Sequence, residues 1–482
     1  MTIILKGVKL LSITGGSAHM GKKIKRYDFA RKPKKASVFW MTVARLFAIR
    51  PMLKGRKLTI VRKGMEGIKP PYLLLATHAS MTDFPVMYRA VAPYNANNVV
   101  AIDAVRDIGE WLMRKVGSIC KRKFVQDFNL IRNMKYCVDK LGSIVCVYPE
   151  ARYSLDGTAS FLPDSLGKMC KLLNVPVVVL RMQGNFVMSP QWNKVEQKLP
   201  LKAELELIAG KDELASVSVD ELNERIRKAF ERDDYAYQYE NGIENKYERR
   251  ADGLHNILYQ CPHCNAEFKM YSEKTRLWCA ACGKGWEMDE LGRLTAEAGE
   301  TEFAHIPDWF KWERSNVREE VRSGRYRFEG EVAVHTLPNA KRFYDQGKGK
   351  LVQTAEGTRL VCTAYGDPVD LFWAGTELES VHVEYDYPFR KDKYKKNVFG
   401  DCVDISTRDE SYWLHPLNQR DQLTKLSFAT EEIYFLAQEK VRAAHAERDD
   451  EKSESRSGAD APVFLSKFRI GSIALDFFQM QC

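Results

Sequence analysis

The chain reads as an α/β protein with a mainly parallel sheet, followed by a small four-cysteine segment and a β-rich C-terminal domain. Three observations predict this: short apolar runs alternating with helical patterns over residues 57–210, two Cys-x2-Cys pairs around residue 270, and strand-and-turn patterns beyond about residue 327. Continuous apolar strands separated by helices imply a sheet buried on both faces, the condition of parallel sheets. At 482 residues the chain exceeds the roughly 250–300 at which one core stops growing, so two or three domains are expected. Hydrophobic residues make up 45% and charged residues 29%, which excludes a disordered chain and a polytopic membrane protein.

Residues 1–56 form a basic arm. Residues 1–70 hold 18 Lys and Arg against Asp28 and Glu66 alone, whereas the whole chain carries 74 basic and 64 acidic groups. Such an arm is drawn to anionic lipid, at about 1 kcal/mol per basic residue, or to nucleic acid through counterion release. Its segment Val38 to Ile49 (VFWMTVARLFAI) is too short to span a bilayer, which takes roughly 20 apolar residues. With Trp and Phe inside it and cations at both ends, it suits a helix lying in a membrane interface. A core helix before the first strand is the other reading, and the two are compatible. The apolar start Met1–Leu5 is brief and followed by basic residues, so no secretory signal is expected. Seven of the eleven Cys are scattered, mostly in apolar runs such as that around Cys146, where Cys acts as a small hydrophobe. The expectation is a cytoplasmic protein, peripheral on the inner face of the cell membrane and in contact with its surface lipids.

Residues 57–240 supply the α/β domain. Strands are expected at Leu58–Val61, Tyr72–Ala76, Asn98–Ile102, Ser143–Tyr148, Val175–Met182 and Ala203–Ile208, with helices near 83–91, 107–116, 128–141 and 165–173. A polar, tyrosine-rich passage, residues 233–250, reads as the exit from this domain. Residues 255–296 hold the paired Cys motifs. Over residues 325–445, strands are expected at Glu331–His335, Arg359–Thr363, Val369–Trp373, Val381–Tyr385, Cys402–Ser406 and Tyr412–His415, closed by a helix at Ala429–Arg442 whose Thr430, Glu431 and Glu432 suit its positive end. Residues 446–482 are charged and rich in small residues, the composition of a flexible tail.

The segment with chemical content is Leu73-Leu74-Leu75-Ala76-Thr77-His78-Ala79-Ser80-Met81-Thr82-Asp83. A His with an Asp five positions on is a weak signal alone, and His445 with Asp450 repeats it in a charged stretch with no strand before it. His78 instead follows a buried strand at a turn into a helix, and ligands of open α/β sheets bind at the carboxyl ends of strands. An imidazole there can take a proton from an alcohol near neutral pH, with Asp83 fixing its tautomer. The alternative for Asp83 is a first-turn residue favouring the helix dipole.

In chain order there follow Gly117-Ser118-Ile119-Cys120-Lys121-Arg122-Lys123, Tyr148-Pro149-Glu150-Ala151-Arg152-Tyr153-Ser154, and Val175-Pro176-Val177-Val178-Val179. Together with His78 and Asp83, this series resembles the glycerolipid acyltransferase family, which includes the lysophosphatidate acyltransferases, over about residues 40–230. The resemblance implies a His-x4-Asp catalytic pair and direct acyl transfer from acyl-CoA or acyl carrier protein to a hydroxyl of a lysophospholipid or glycerophosphate-type acceptor in phospholipid synthesis. His78 would be the general base, with no Ser or Cys nucleophile; Glu150, Arg152, Ser154 and Arg122 would bind substrate, Arg offering a planar fork to phosphate. The family's third block reads Pro-Glu-Gly-Thr-Arg-Ser, so the Gly-Thr pair is missing here and the Arg sits one place early. Any of Lys121, Arg122 and Lys123 could serve as the cation of the second block.

Cys261-Pro262-His263-Cys264 and Cys279-Ala280-Ala281-Cys282 are separated by 14 residues, close to the spacing of four-Cys zinc sites. The segment resembles a zinc ribbon. Four Cys close the coordination shell, so Cys261, Cys264, Cys279 and Cys282 are expected to hold structural Zn²⁺, with two disulfides as the alternative and His263 a loop residue. The C-terminal domain resembles a pleckstrin-homology-like module in strand count and terminal helix. The readings from other classes are a nucleic-acid-binding zinc-ribbon protein and a lipid-binding pseudoenzyme with the acyltransferase fold. The arm's aromatics form one apolar block and do not alternate with cations as base-stacking platforms do, which disfavours nucleic acid.

Overall fold

In a computed structural model that describes residues 24–193, 195–387 and 400–457, the strands fall into three sheets. The first contains β1 (Leu58–Lys63), β2 (Leu73–Ala76), β3 (Ala96–Ala101), β4 (Ile119–Lys121), β5 (Ile144–Val147), β6 (Val177–Gln183) and β7 (Leu201–Ala209), in the order β1-β7-β6-β2-β5-β3-β4. Every pairing is parallel except β6 with β7. Successive residues of a strand point to opposite faces. Leu73 and Leu75 therefore join Val145, Val147, Val177 and Val179 in a core shared with the helices Phe128–Asp139, Ser165–Leu173 and Val219–Phe230. Leu74 and Ala76 face the other way with Cys146, Val178 and Leu180, toward the Asp83–Ala90 and Ile102–Ile108 helices.

The arm is helical from Val38 to Leu53, its first turn capped by the Ser37 hydroxyl and its middle a π turn at Arg45–Ile49. Met41 and Ile49 are buried, as a core helix requires, while Val38, Phe39, Leu46 and Phe47 stay exposed. The preceding residues are tied down, since Tyr27 N donates to Pro338 O and Ser37 N to Lys115 O. No helix among the described residues is long and apolar enough to cross a membrane.

The second sheet is an antiparallel meander of β8 (Met270–Glu273), β9 (Arg276–Cys279), β10 (Gly285–Met288) and β11 (Leu294–Ala296). The third is wholly antiparallel: β12 (Arg327–Thr336), β13 (Tyr344–Thr354), β14 (Gly357–Ala364), β15 (Asp367–Ala374), β16 (His382–Tyr387), β17 (Gly400–Ser406) and β18 (Ser411–Pro416), ordered β15-β14-β13-β12-β18-β17-β16. The terminal helix spans Leu423–Ser457 and packs on a helix at Ile306–Arg322, through Phe428 against Phe310 and through Arg314 and Arg318 to Glu432. It is longer than the expected Ala429–Arg442 and carries residues 446–457, read from sequence as flexible tail, in helix. Residues 458–482 and the start of the arm, residues 1–23, lie outside the described residues.

Candidate active site and metal centre

Strand β2 lies between β5 and β6 and runs parallel to both, so the carboxyl ends of all three meet on one side of the sheet. That is where the strand order reverses, the place at which open α/β sheets bind ligands. His78 leaves β2 here, Tyr148 and Glu150 leave β5, and Asn185 leaves β6. At Gly184 the backbone takes φ +86°, and a Cβ would lie 2.6 Å from Pro200 O, so glycine alone makes the turn that presents Asn185.

His78 Nδ1 lies 2.9 Å from Asp83 Oδ2. The same oxygen accepts from Ala79 N at 2.6 Å and Ser80 N at 3.0 Å, while Oδ1 accepts from Asn185 Nδ2 at 2.7 Å. Asp83 is buried at the first turn of its helix, and the donors converging on it suit an acceptor-only carboxylate. With Asp83 accepting, Nδ1 carries the proton and Nε2 presents its lone pair, the form a general base needs. The imidazole lies between the rings of Tyr148 and Tyr153, with centroids at 4.4 and 4.2 Å, and its side chain keeps 22% exposure. The decoy His445 is an exposed residue of the terminal helix.

Expected at the substrate, Glu150 and Ser154 are turned inward instead. Glu150 Oε2 accepts from His78 N at 2.7 Å and Oε1 from Ser160 N at 2.7 Å, and both oxygens accept from Arg232 Nη2. The Glu150 and Arg232 side chains are fully buried, so losing either would strand a charge at a cost of about 3–5 kcal/mol. Ser154 N donates to His78 O at 3.0 Å, while its hydroxyl serves the following turn, bonding Gly157 N, Asp156 and Thr158 O. These two residues hold the His78 loop. Nearby, Asp234 accepts from Phe186 N beside Asn185, and burial pushes its carboxyl up to about 7.

Ala151, where the third block of the resembling family has Gly, takes φ +53°, a left-handed conformation that favours glycine. Tyr153 occupies the register of that block's Arg and faces His78. Arg152 turns away: Nη2 pairs with Glu431 Oε1 at 2.7 Å and Nη1 donates to Ser427 Oγ at 3.1 Å. Arg122 donates to the carbonyls of Arg408 and Asp409 at 3.3 and 2.9 Å and stacks on Phe29. The structure therefore brings His78, Asp83, Glu150 and Ser154 together and engages Arg152 and Arg122 with the C-terminal domain.

Asn185 and Arg232 are the site residues that sequence reasoning misses. Each lies far along the chain from its partner, 102 residues from Asp83 and 82 from Glu150. The signal that could have found Asn185 is positional: a Gly-Asn pair directly after an apolar strand.

The four Sγ atoms of Cys261, Cys264, Cys279 and Cys282 lie within 4.8 Å of one another. Cys261–Cys282 and Cys264–Cys279 are each 3.8 Å apart, about the edge of a tetrahedron with 2.3 Å arms and far beyond the ~2.05 Å of a disulfide. Both knuckles turn through a left-handed residue just after their second Cys, Asn265 at φ +60° and Gly283 at φ +80°. The cluster can hold a metal such as zinc, and His263 is not among its ligands; it faces Glu302 from an exposed loop position.

No protein-family model matches the chain, and no curated protein matches it significantly. Among solved structures, the 1-acyl-sn-glycerophosphate (LPA) acyltransferase PlsC from Thermotoga maritima is similar over 39% of this chain and 79% of that one, at 18% identity and a TM-score of 0.31. A likeness of that size carries neither activity nor substrate to this chain.

Proposed function

We propose that this chain is an O-acyltransferase that moves an acyl group from a thioester, acyl-CoA or acyl carrier protein, to the hydroxyl of a glycerolipid-type acceptor. The observation that carries the reading is the His78–Asp83 pair: Nδ1 is held at 2.9 Å by a buried carboxylate whose other donors fix it, which leaves Nε2 as the basic nitrogen. Nε2 takes the acceptor's hydroxyl proton as the oxygen attacks the thioester carbonyl carbon. The C–S bond then breaks, and the departing thiolate receives the proton from the imidazolium. Asp83 stabilises that imidazolium, and Glu150, clamped by Arg232, keeps the His78 backbone in place. No acyl-enzyme is needed.

The exposed Val38, Phe39 and Phe47, with Trp111 edge-on to Trp40, form an apolar face flanked by the exposed cations Arg31, Lys32, Lys34, Lys35, Arg50 and Lys54. That combination suits adsorption to an anionic leaflet such as the inner face of a cell membrane, where a lipid acceptor resides. Phe39→Glu with Phe47→Glu should weaken sedimentation with anionic vesicles at least about tenfold, through loss of two exposed aromatics that would enter the lipid; undiminished sedimentation would contradict this docking face. For the chemistry, the test is transfer of labelled acyl from acyl-CoA to glycerolipid alcohols by wild type and His78→Ala. Loss of a general base costs about 10² to 10⁴ in rate, with folding retained.

A further inference from the structure

The surroundings of His78 are walled by the C-terminal sheet, and the charges along that wall are paired with one another. Behind Tyr153, at 5.9 Å between ring centroids, stands His382 of β16, itself 3.3 Å from Glu384 and 3.6 Å from Asp404. Lys123 of the second cation block bridges Asp404 at 2.7 Å and Asp103 at 3.3 Å. Arg152 is neutralised by Glu431, a carboxylate it shares with Arg314. Arg122 spends its guanidinium on two backbone carbonyls, with the Phe29 ring over it.

A phosphate monoester is a dianion and needs cations that are not already answered. Here Arg152 and Lys123 are half-buried and paired with Glu431, Asp404 and Asp103, while Lys121 and Arg122 are buried, Arg122 under protein contacts. The wall is also fixed in place. Tyr27 N donates to Pro338 O, Asn256 O accepts from Tyr385 Oη and Thr424 Oγ1, and Phe161 packs on Phe435. A shutter that swings clear to free the cations would have to break all of these at once.

We propose, resting on the acyl-transfer reading, that the acceptor at His78 is an amphiphilic alcohol without a phosphate monoester, of the neutral monoacylglycerol type. Tyr153, in the register where an Arg would meet phosphate, gives that acceptor an aromatic neighbour in place of a charge. A phosphate dianion would lose its hydration with these cations of the described residues already answered, so discrimination of at least roughly 100-fold is expected.

Two measurements on the full chain test this. With labelled acyl-CoA, kcat/KM for a monoacylglycerol should exceed that for the lysophosphatidate of the same acyl chain at least about 100-fold. Preference for the lysophosphatidate overturns the proposal. Independently of turnover, titration with sn-glycerol 3-phosphate and with inorganic phosphate, followed by calorimetry, should show no saturable binding to wild type. Saturable binding that Arg152→Gln or Lys123→Gln removes overturns it as well, whereas phosphate-acceptor activity appearing only in Glu431→Gln supports it, because that variant frees Arg152. Failure of the acyl-transfer reading itself would show separately, as no His78-dependent turnover with either acceptor, and the phosphate titration would still decide the charge question.

Discussion

Asn185 ties the site together at the scale of single residues, and only its place, after a glycine that ends an apolar strand, marks it in the local sequence. Its amide donates to Asp83 Oδ1 at 2.7 Å, so it acts on His78 only by holding the carboxylate that orients the ring. Asn185→Ala should lower kcat roughly 10- to 100-fold, the worth of a hydrogen bond to a charged group, with little change in KM and an altered pH profile of kcat. A change in KM alone would contradict a positioning role. His78 and Asp83 were legible because a strand, a turn and a helix fall in order around them. Glu150 was legible as important but not in its role, since only the parallel pairing of β5 with β2 shows that its carboxylate meets the His78 backbone. Arg152 illustrates the converse: its type suggested phosphate, and its direction is set by Glu431, 279 residues away in the sequence numbering and invisible to any local pattern.

Among elements, those with strong periodicity were predicted close to where they fall, and those stabilised by partners were not. The apolar β2, β5 and β6 are examples of the first kind. Strand β4 is three residues long, and β13 (YDQGKGKLVQT) alternates too few apolar side chains to be seen; its neighbours β12 and β14 supply the ladder that makes it a strand. The four-Cys segment shows how a short motif can outweigh propensity, because a metal held by its thiolates would staple strands too small to stand alone. The purified protein should contain about one zinc per chain, and a chelator should lower its thermal midpoint while Cys279→Ser lowers expression of folded protein. Full metal loss with an unchanged midpoint would contradict a structural site.

On the scale of the whole molecule, the mainly parallel sheet and the C-terminal sheet share a polar seam. A pocket in it is lined by Phe124, Arg152, Phe161, Glu379, Ser380 and Glu431. Burial pushes the Glu379 carboxyl up to about 8 from an ordinary 4.5, with the nearby Glu431 charge adding to the shift. The folded state thus keeps a proton that the unfolded chain has released between those values, and this group's contribution to stability falls as pH rises from about 4.5 to about 8. Glu379→Gln removes that dependence: its unfolding free energy, from denaturant titration, should gain on wild type as pH is raised from 5 to 8, by at most about 1.4 kcal/mol per pH unit. A pH-independent difference would show that Glu379 titrates normally. The seam was not legible in the sequence, since Arg152, Glu379 and Glu431 come from separate segments and their charges are locally unremarkable.

In the proposed reaction, Nε2 of His78, poised by Asp83, removes the acceptor's proton. The most direct measurement is the rate of thiol release from acyl-CoA in the presence of a glycerolipid alcohol, compared across wild type, His78→Ala and Asp83→Asn at matched thermal midpoints. The rate should fall about 10²- to 10⁴-fold in His78→Ala, and substantially in Asp83→Asn, which disturbs the tautomer while leaving the ring in place. Acceptor-dependent thiol release that is unchanged in His78→Ala would contradict that role.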